Sequence, residues 1–227
     1  MRGAITAIVE MSGLGAKLGY FMVELSGGNL LLELVLSAVV CLISGTGIPS
    51  PAVYVVAVTA LAPPLVALGV PAIAAHLFIF VFAVFSHFTP PIGTGLILAT
   101  KLAGGNYWAT AREALKAAFV IFFLPFFFVY TPAIILQLEG ISPMGIITQF
   151  VLVIVFIPSL SILFSNYCFT GLSSPEKGLF AIGGAFPLLA VIFPAQAWLL
   201  VMIGAISCAG GLWLNLRHSQ AVTTDHK

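Results

Sequence analysis

The chain has 227 residues, of which 61% are apolar and only 7% charged, where a soluble domain carries about 25% charged residues. A soluble globular protein is thereby excluded. The 8 Lys+Arg against 7 Asp+Glu, a formal net charge of +1, give no basic field able to hold nucleic acid. A bilayer core about 30 Å thick takes about 20 helical residues to cross, so this composition predicts an all-α, polytopic membrane bundle of roughly seven to nine segments.

Residues 4–25 read as a weak first segment, carrying Glu10, Lys17 and Glu24 and interrupted by Gly13, Gly15 and Gly19. Its start resembles a signal peptide, but Glu10 breaks the apolar run and no small-residue cleavage site follows. The polar turn Ser26-Gly27-Gly28-Asn29 ends it. Residues 30–43 form a strong helix that stops at Ser44-Gly45-Thr46-Gly47-Ile48-Pro49-Ser50-Pro51. Residues 52–68 restart as helix, bent or ended near Pro63 and Pro64, and Gly69-Val70-Pro71 is the next turn. Residues 72–88 are a clean span that again ends in breakers, Thr89-Pro90-Pro91-Ile92-Gly93-Thr94-Gly95, and residues 96–102 are a half-length helix. A hydrophilic stretch at 104–116, opened by Asn106 as a cap and carrying Arg112, Glu113 and Lys116, fits a membrane-surface helix. It leads into a span at 117–136, whose phenylalanine run at 119–128 reads as lipid-facing and packing surface. Residues 145–164, 179–193 and 197–216 are three plainer spans, joined by a loop at 173–177 and a Pro194-Ala195-Gln196 turn. Placing the basic Lys101, Arg112, Lys116, Lys177, Arg217 and Lys227 in the cytoplasm makes these last spans alternate, with the C-terminus inside.

The two breaker clusters concentrate the chemistry. Within a bilayer an unwound segment leaves N–H and C=O groups without helical partners, each costing several kcal/mol unless protein, water or a ligand satisfies it. Gly45 and Gly47 permit close backbone approach, while Pro49 and Pro51 lack a donor. The pattern predicts a helix, an extended turn and a returning helix, a hairpin that dips into the membrane. The cluster at 89–95 predicts a span broken near mid-depth. Paired discontinuous helices point to a transporter's site, with free carbonyls facing a cation and free N–H groups facing an anion. Plain kinks or surface loops are the competing reading; the hydroxyls of Thr46, Ser50, Thr89 and Thr94 beside both breaks favour the site.

The residues also carry a resemblance. Gly27-Gly28-Asn29-Leu30-Leu31-Leu32, Gly45-Thr46-Gly47-Ile48-Pro49-Ser50-Pro51-Ala52-Val53-Tyr54, Ala62-Pro63, Leu68-Gly69-Val70-Pro71, Ala75-His76-Leu77-Phe78-Ile79-Phe80, Thr89-Pro90-Pro91-Ile92-Gly93 and the Pro-Phe-Phe-Phe-Val-Tyr-Thr-Pro-Ala run at 125–133 follow one another in order. Together they resemble the large membrane subunit of TRAP transporters, and most of all the fused, TAXI-associated permeases, over residues 4–137. The resemblance implies an elevator-type secondary transporter coupling sodium entry to uptake of organic acids that an extracytoplasmic binding protein delivers, in the inner (plasma) membrane of a bacterium or archaeon. Carried onto this sequence, Gly45, Thr46, Gly47, Thr89 and Ile92 would bind sodium, largely through backbone oxygens. Ile48, Pro49, Ser50, Pro51, Pro90, Pro91, Gly93 and His87 would line the hairpin beside the substrate. Sodium is a hard ion satisfied by carbonyl and hydroxyl oxygens, so such a site needs no carboxylate, and no cofactor is implied beyond the coupling ion.

The resemblance further divides the chain into residues 1–140, matching the C-terminal half of the permease core, a three-span extension at 141–216, and a polar cytoplasmic tail at 217–227. A fused permease contains two inverted halves, and a site at a repeat interface needs both. The expected partners are therefore the remaining half of the permease, the small membrane subunit and the binding protein. A non-transporting structural subunit or a truncated gene product is the alternative. No enzyme is expected: H-E-x-x-H, paired aspartates and a G-x-S-x-G beside a histidine are absent, the only aspartate being Asp225. The thiols of Cys41, Cys168 and Cys208 have neither C-x-x-C nor metal-like spacing. Among ionisable residues in apolar segments, Glu33 is expected to snorkel or to meet a helix N-terminus. His76 and His87, three turns apart, are expected to share a helical face as hydrogen-bonded structural groups.

Overall fold

The computed structural model describes residues 13–45, 47, 49–137 and 140–224; Thr46 and Ile48, with Glu10, Glu139, Asp225 and Lys227, lie outside them. The elements in chain order are α1 (Leu14–Ser26), α2 (Leu30–Ser44), α3 (Ser50–Ala67), α4 (Ala72–Phe85) with a 3-10 turn at Ser86–Phe88, α5 (Thr94–Ala103), α6 (Tyr107–Ala118), a 3-10 segment at Phe119–Phe123, α7 (Leu124–Tyr130), a 3-10 turn at Pro132–Ile135, α8 (Pro143–Ser165), α9 (Ser174–Ile192), a 3-10 turn at Pro194–Gln196 and α10 (Ala197–Thr224). Among the described residues the only extended pairing is an isolated bridge between Tyr167 and Gly171. Four helical stretches among the described residues are long and apolar enough to cross a membrane, Ser50–Ala67, Tyr107–Tyr130, Pro143–Ser165 and Ala197–His218, and Leu30–Ser44, Ala72–Phe88 and Thr94–Ala103 are shorter apolar helices. The fold class is the all-α, polytopic membrane bundle that the composition predicts.

Two compact units divide the chain, Met1–Leu115 with Phe122–Val129, and Lys116–Ile121 with Tyr130–Lys227. In the first, α2 packs against α1, α3 and α4, and α3 packs against α1 and α4. Leu34, Leu61, Leu65, Phe78 and Ile79 are fully buried at its centre. The phenylalanine run contributes here: Phe122 and Phe126 pack on Phe78, Phe82 and Phe85 with ring centroids 5.4 to 6.2 Å apart. Tilted and edge-on aromatic pairs of this kind add about 0.5–1.5 kcal/mol each beyond their buried area.

Helix α3 departs from the sequence expectation, because it runs through Pro63 and Pro64 to Ala67. Two prolines remove the N–H groups that would bond the carbonyls four residues earlier, those of Thr59 and Ala60. The Ala60 carbonyl is covered by α1 at Gly19, where a Cβ would lie 2.7 Å from it. A glycine there lets the neighbouring helix approach the freed carbonyl, the way prolines are accommodated within membrane helices.

The stretch expected as a surface helix at 104–116 followed by a separate span instead forms one helical run, Tyr107–Tyr130. Its cap is the expected one: Asn106 Oδ1 accepts from the amides of Trp108 at 3.0 Å and Ala109 at 3.2 Å. It ends at Tyr130 and not at 136, since Thr131 precedes Pro132 and takes φ −130°, ψ 71°, a residue before proline being pushed off helical geometry.

In the second unit α8, α9 and α10 pack on one another around Val155, Leu172, Phe180 and Cys208. Helix α9 starts at Ser174, several residues before the expected 179, because Ser173 and Glu176 form a capping box, which satisfies two otherwise orphaned donors. The preceding loop is held by Asn215 of α10, which is fully buried. Its Oδ1 accepts from the amides of Phe169 at 2.9 Å and Thr170 at 3.2 Å. Its Nδ2 donates to Thr170 Oγ1 and to Glu176 Oε2, each at 3.1 Å. Burial raises the Glu176 carboxyl, but bonds from the Ser173 amide, the Asn215 amide and the Ser173 hydroxyl, with His218 nearby, outweigh it and hold the group below the ordinary 4.5.

Candidate functional site

The two breaks predicted from glycine and proline lie in the first unit, and the fold brings them together. Helix α2 closes on Gly45, whose N–H donates to Cys41 O at 3.1 Å. Helix α3 begins at Ser50 after Pro49 as its cap, with Pro51 in the first turn, where a missing N–H forfeits no helical bond. On the other side α4 tightens into the Ser86–Phe88 turn, Thr89 becomes extended at φ −110°, ψ 136°, and helix resumes at Thr94. The Pro90–Pro91 peptide is cis.

Contact between the breaks is made by Gly45 and Ser50 on one side and Ser86 and His87 on the other. The Gly45 backbone lies so close to Ser86 that a Cβ at position 45 would overlap both Oγ and Cβ of that serine. Ser50 Oγ is 3.2 Å from His87 Nδ1. The Ser86 hydroxyl donates to Ala83 O at 2.7 Å and lies 3.3 Å from His87 Nδ1. Ser50 Oγ also stands 3.5 Å from His87 Nε2, so the imidazole faces both hydroxyls. His87 is thus hydrogen-bonded. It lies in the 3-10 turn that continues α4, whereas His76 lies in α4 itself and pairs with Tyr54 Oη at 2.9 Å.

The broken segment itself is built from backbone oxygens. Buried Gly93 allows the carbonyls of His87 and Thr89 to converge on it, standing 2.9 and 3.1 Å from where its Cβ would be. Thr89, 7% exposed, donates its hydroxyl to Ser86 O at 3.2 Å, which leaves its oxygen lone pairs uncommitted by that bond. Tyr107 clamps the segment: its hydroxyl donates to Pro91 O at 3.0 Å and accepts from the Gly93 amide at 3.2 Å. An array of carbonyls and hydroxyls with no carboxylate suits a hard monovalent cation.

Not every predicted residue takes part in this meeting. Gly47, at φ +82°, has open space around it. Pro49, Pro51, Pro91 and Ile92 are exposed, Pro90 is half-buried, and Thr46 and Ile48 lie outside the described residues. Sequence reasoning missed Ser86 and Tyr107. Ser86 is a hydroxyl at the end of an apolar run, directly before the histidine, and that position is a usable signal. Nothing in the spacing marks Tyr107. Of the two readings of Glu33 the helix N-terminus holds, since it stands in the first turn of α2; snorkelling does not, because its side chain is fully enclosed by protein.

The family model for the DctM component of tripartite ATP-independent periplasmic transporters matches residues 2–139, more than half of the chain. Neither a curated protein nor a solved structure matches it.

Proposed function

Because the chain belongs to the DctM-component family of tripartite ATP-independent periplasmic transporters, a membrane component with several membrane-crossing helices, we propose that it couples sodium entry to uptake of an organic acid. The observation that supports this reading is the meeting of the two broken segments, with Gly45 seated on Ser86 and Ser50 bonded to His87. Oxygens for sodium come from the backbone at Gly45, Thr46 and Gly47 on one break and from Thr89 and Ile92 on the other. The hairpin residues Ile48, Pro49, Ser50 and Pro51, with Pro90, Pro91, Gly93 and His87, lie beside the anionic substrate, where the imidazole of His87 is a group suited to a carboxylate.

The donor set spans two discontinuous segments, and a site at a repeat interface takes a matching pair from an inverted half. The proposal therefore has this chain work with a complementary half, a small membrane subunit and an extracytoplasmic binding protein that delivers the substrate, in a bacterial or archaeal inner membrane. Ion binding that locks the two breaks together would let them move as one body, the elevator-type motion.

The test is reconstitution of the chain with its complementary half and binding protein in proteoliposomes, comparing wild type with Thr89→Val. The substitution keeps the shape and removes the hydroxyl oxygen, and the sodium concentration for half-activation should rise about tenfold, the equivalent of about 1.4 kcal/mol. Unchanged sodium dependence in a folded Thr89→Val protein would remove Thr89 from the site.

A further inference from the structure

The buried face of α2 carries Glu33, Ser37 and Cys41 at successive four-residue steps, which places neighbours in this series one above another. Glu33 and Ser37 are both fully enclosed, and among the described residues neither carboxylate oxygen nor the Ser37 hydroxyl has a partner in hydrogen-bond geometry. The Ser26 hydroxyl lies within hydrogen-bonding reach of the carboxylate, but its single proton is also directed at Val23 O at 3.0 Å, and a neutral hydroxyl supplies no counter-charge.

The elements packed against α2 supply no counter-charge. Their titratable side chains among the described residues are Lys17, Tyr20 and Glu24 on α1, Tyr54 on α3, His76 on α4 and His87 in the turn after it. Lys17, Tyr20 and Glu24 are exposed, Tyr54 is paired with His76, and His87 with Ser50 and Ser86. Cys41, on α2 itself, is a neutral thiol. A bare ionised carboxylate in such a place is strongly disfavoured, and an ionisable side chain in a membrane segment with no protein counter-charge calls for one from outside.

We infer that Glu33, with the hydroxyl oxygens of Ser26 and Ser37, is a binding site for one small cation, a proton or a sodium ion. A proton satisfies it by making the carboxyl a donor to a serine oxygen; sodium satisfies it by drawing on both carboxylate oxygens and both hydroxyls. Either removes the charge from the buried face of the helix that ends at Gly45. The site stands apart from the oxygens of the two breaks and does not depend on their binding sodium.

The test is infrared difference spectroscopy of the 227-residue chain in detergent at neutral pH, wild type against Glu33→Gln, without and with sodium chloride, alongside equilibrium binding of radioactive sodium. A protonated-carboxyl band in wild type that Glu33→Gln lacks, unmoved by sodium, establishes the proton. A band that sodium converts to carboxylate, with sodium affinity at least about tenfold weaker in Glu33→Gln, establishes sodium. An ionised Glu33 in sodium-free buffer that sodium does not alter overturns the site. Ser37→Ala keeps the carboxyl and must shift the Glu33 band; an unshifted band also counts against the site and needs no Glu33 variant to fold. Thr89→Val leaves the Glu33 band in place, so failure here and failure at the breaks are read separately.

Discussion

The contact between Gly45 and Ser86 makes a quantitative prediction. At Gly45 the backbone is ordinary, with φ −78°, so alanine there meets no conformational strain and the whole effect is steric. Its methyl would overlap Oγ and Cβ of Ser86, in a place where Ser86 is fully buried and cannot swing aside. Overpacking of this kind costs about 1–3 kcal/mol, and displacing the Ser86 hydroxyl from Ala83 O adds about 1 kcal/mol. Gly45→Ala should therefore destabilise the chain by about 2–4 kcal/mol, read as a shift in equilibrium unfolding in mixed micelles. Ser86→Gly removes the overlapped atoms, so the double variant should be less destabilised than the sum of the singles, by at least about 1 kcal/mol. Gly47→Ala is the control: its backbone is left-handed at φ +82° and its surroundings are open, so it should cost about 1–2 kcal/mol without coupling to Ser86→Gly. Additivity of Gly45→Ala with Ser86→Gly would refute the meeting of the two breaks.

Two further predictions concern other elements. Tyr107→Phe deletes both bonds that hold the broken segment, to Pro91 O and from the Gly93 amide, and should cost about 1–3 kcal/mol; faster hydrogen exchange at Gly93 reports it, and unchanged exchange would show that Tyr107 is not the clamp. The Glu176 carboxyl is lowered from 4.5 in the folded chain, so the stability it contributes is complete above that value and is lost as pH falls through the lowered one. Melting temperature should drop in that acid window, less steeply for Glu176→Gln, and identical acid profiles for the two proteins would argue against the bonding around Glu176.

The places where helices stop were legible because glycine and proline act locally: the breaks after Ser44 and Phe88 and the cap at Asn106 follow from chemistry within a few residues. The meeting of the breaks at Gly45 and His87 was legible only through resemblance, because the residues that join them are far apart in sequence. What stayed hidden depends on neighbours. Pro63 and Pro64 read as a break because sequence periodicity cannot register a glycine on α1 that lets another helix cover the freed carbonyl. The start of α9 was misplaced because Glu176 and Lys177 look like a polar loop, when Glu176 is the acid of a capping box. Glu33, in the first turn of its helix, looked close enough to an interface to reach it, and only packing decides that its side chain is fully enclosed.

Asn215 carries a consequence for how the protein is made. Its carboxamide is the partner of the Phe169 and Thr170 amides, the Thr170 hydroxyl and one oxygen of Glu176, groups that leave the ribosome about 40 residues before it does. Until α10 is synthesised and docked, the loop between α8 and α9 has its own bonds, such as the Tyr167–Gly171 bridge, but the Phe169 and Thr170 amides wait for Asn215. Helix α10 is therefore the keystone of its unit, and the order of loop residues 169 and 170 reports that synthesis has reached Asn215.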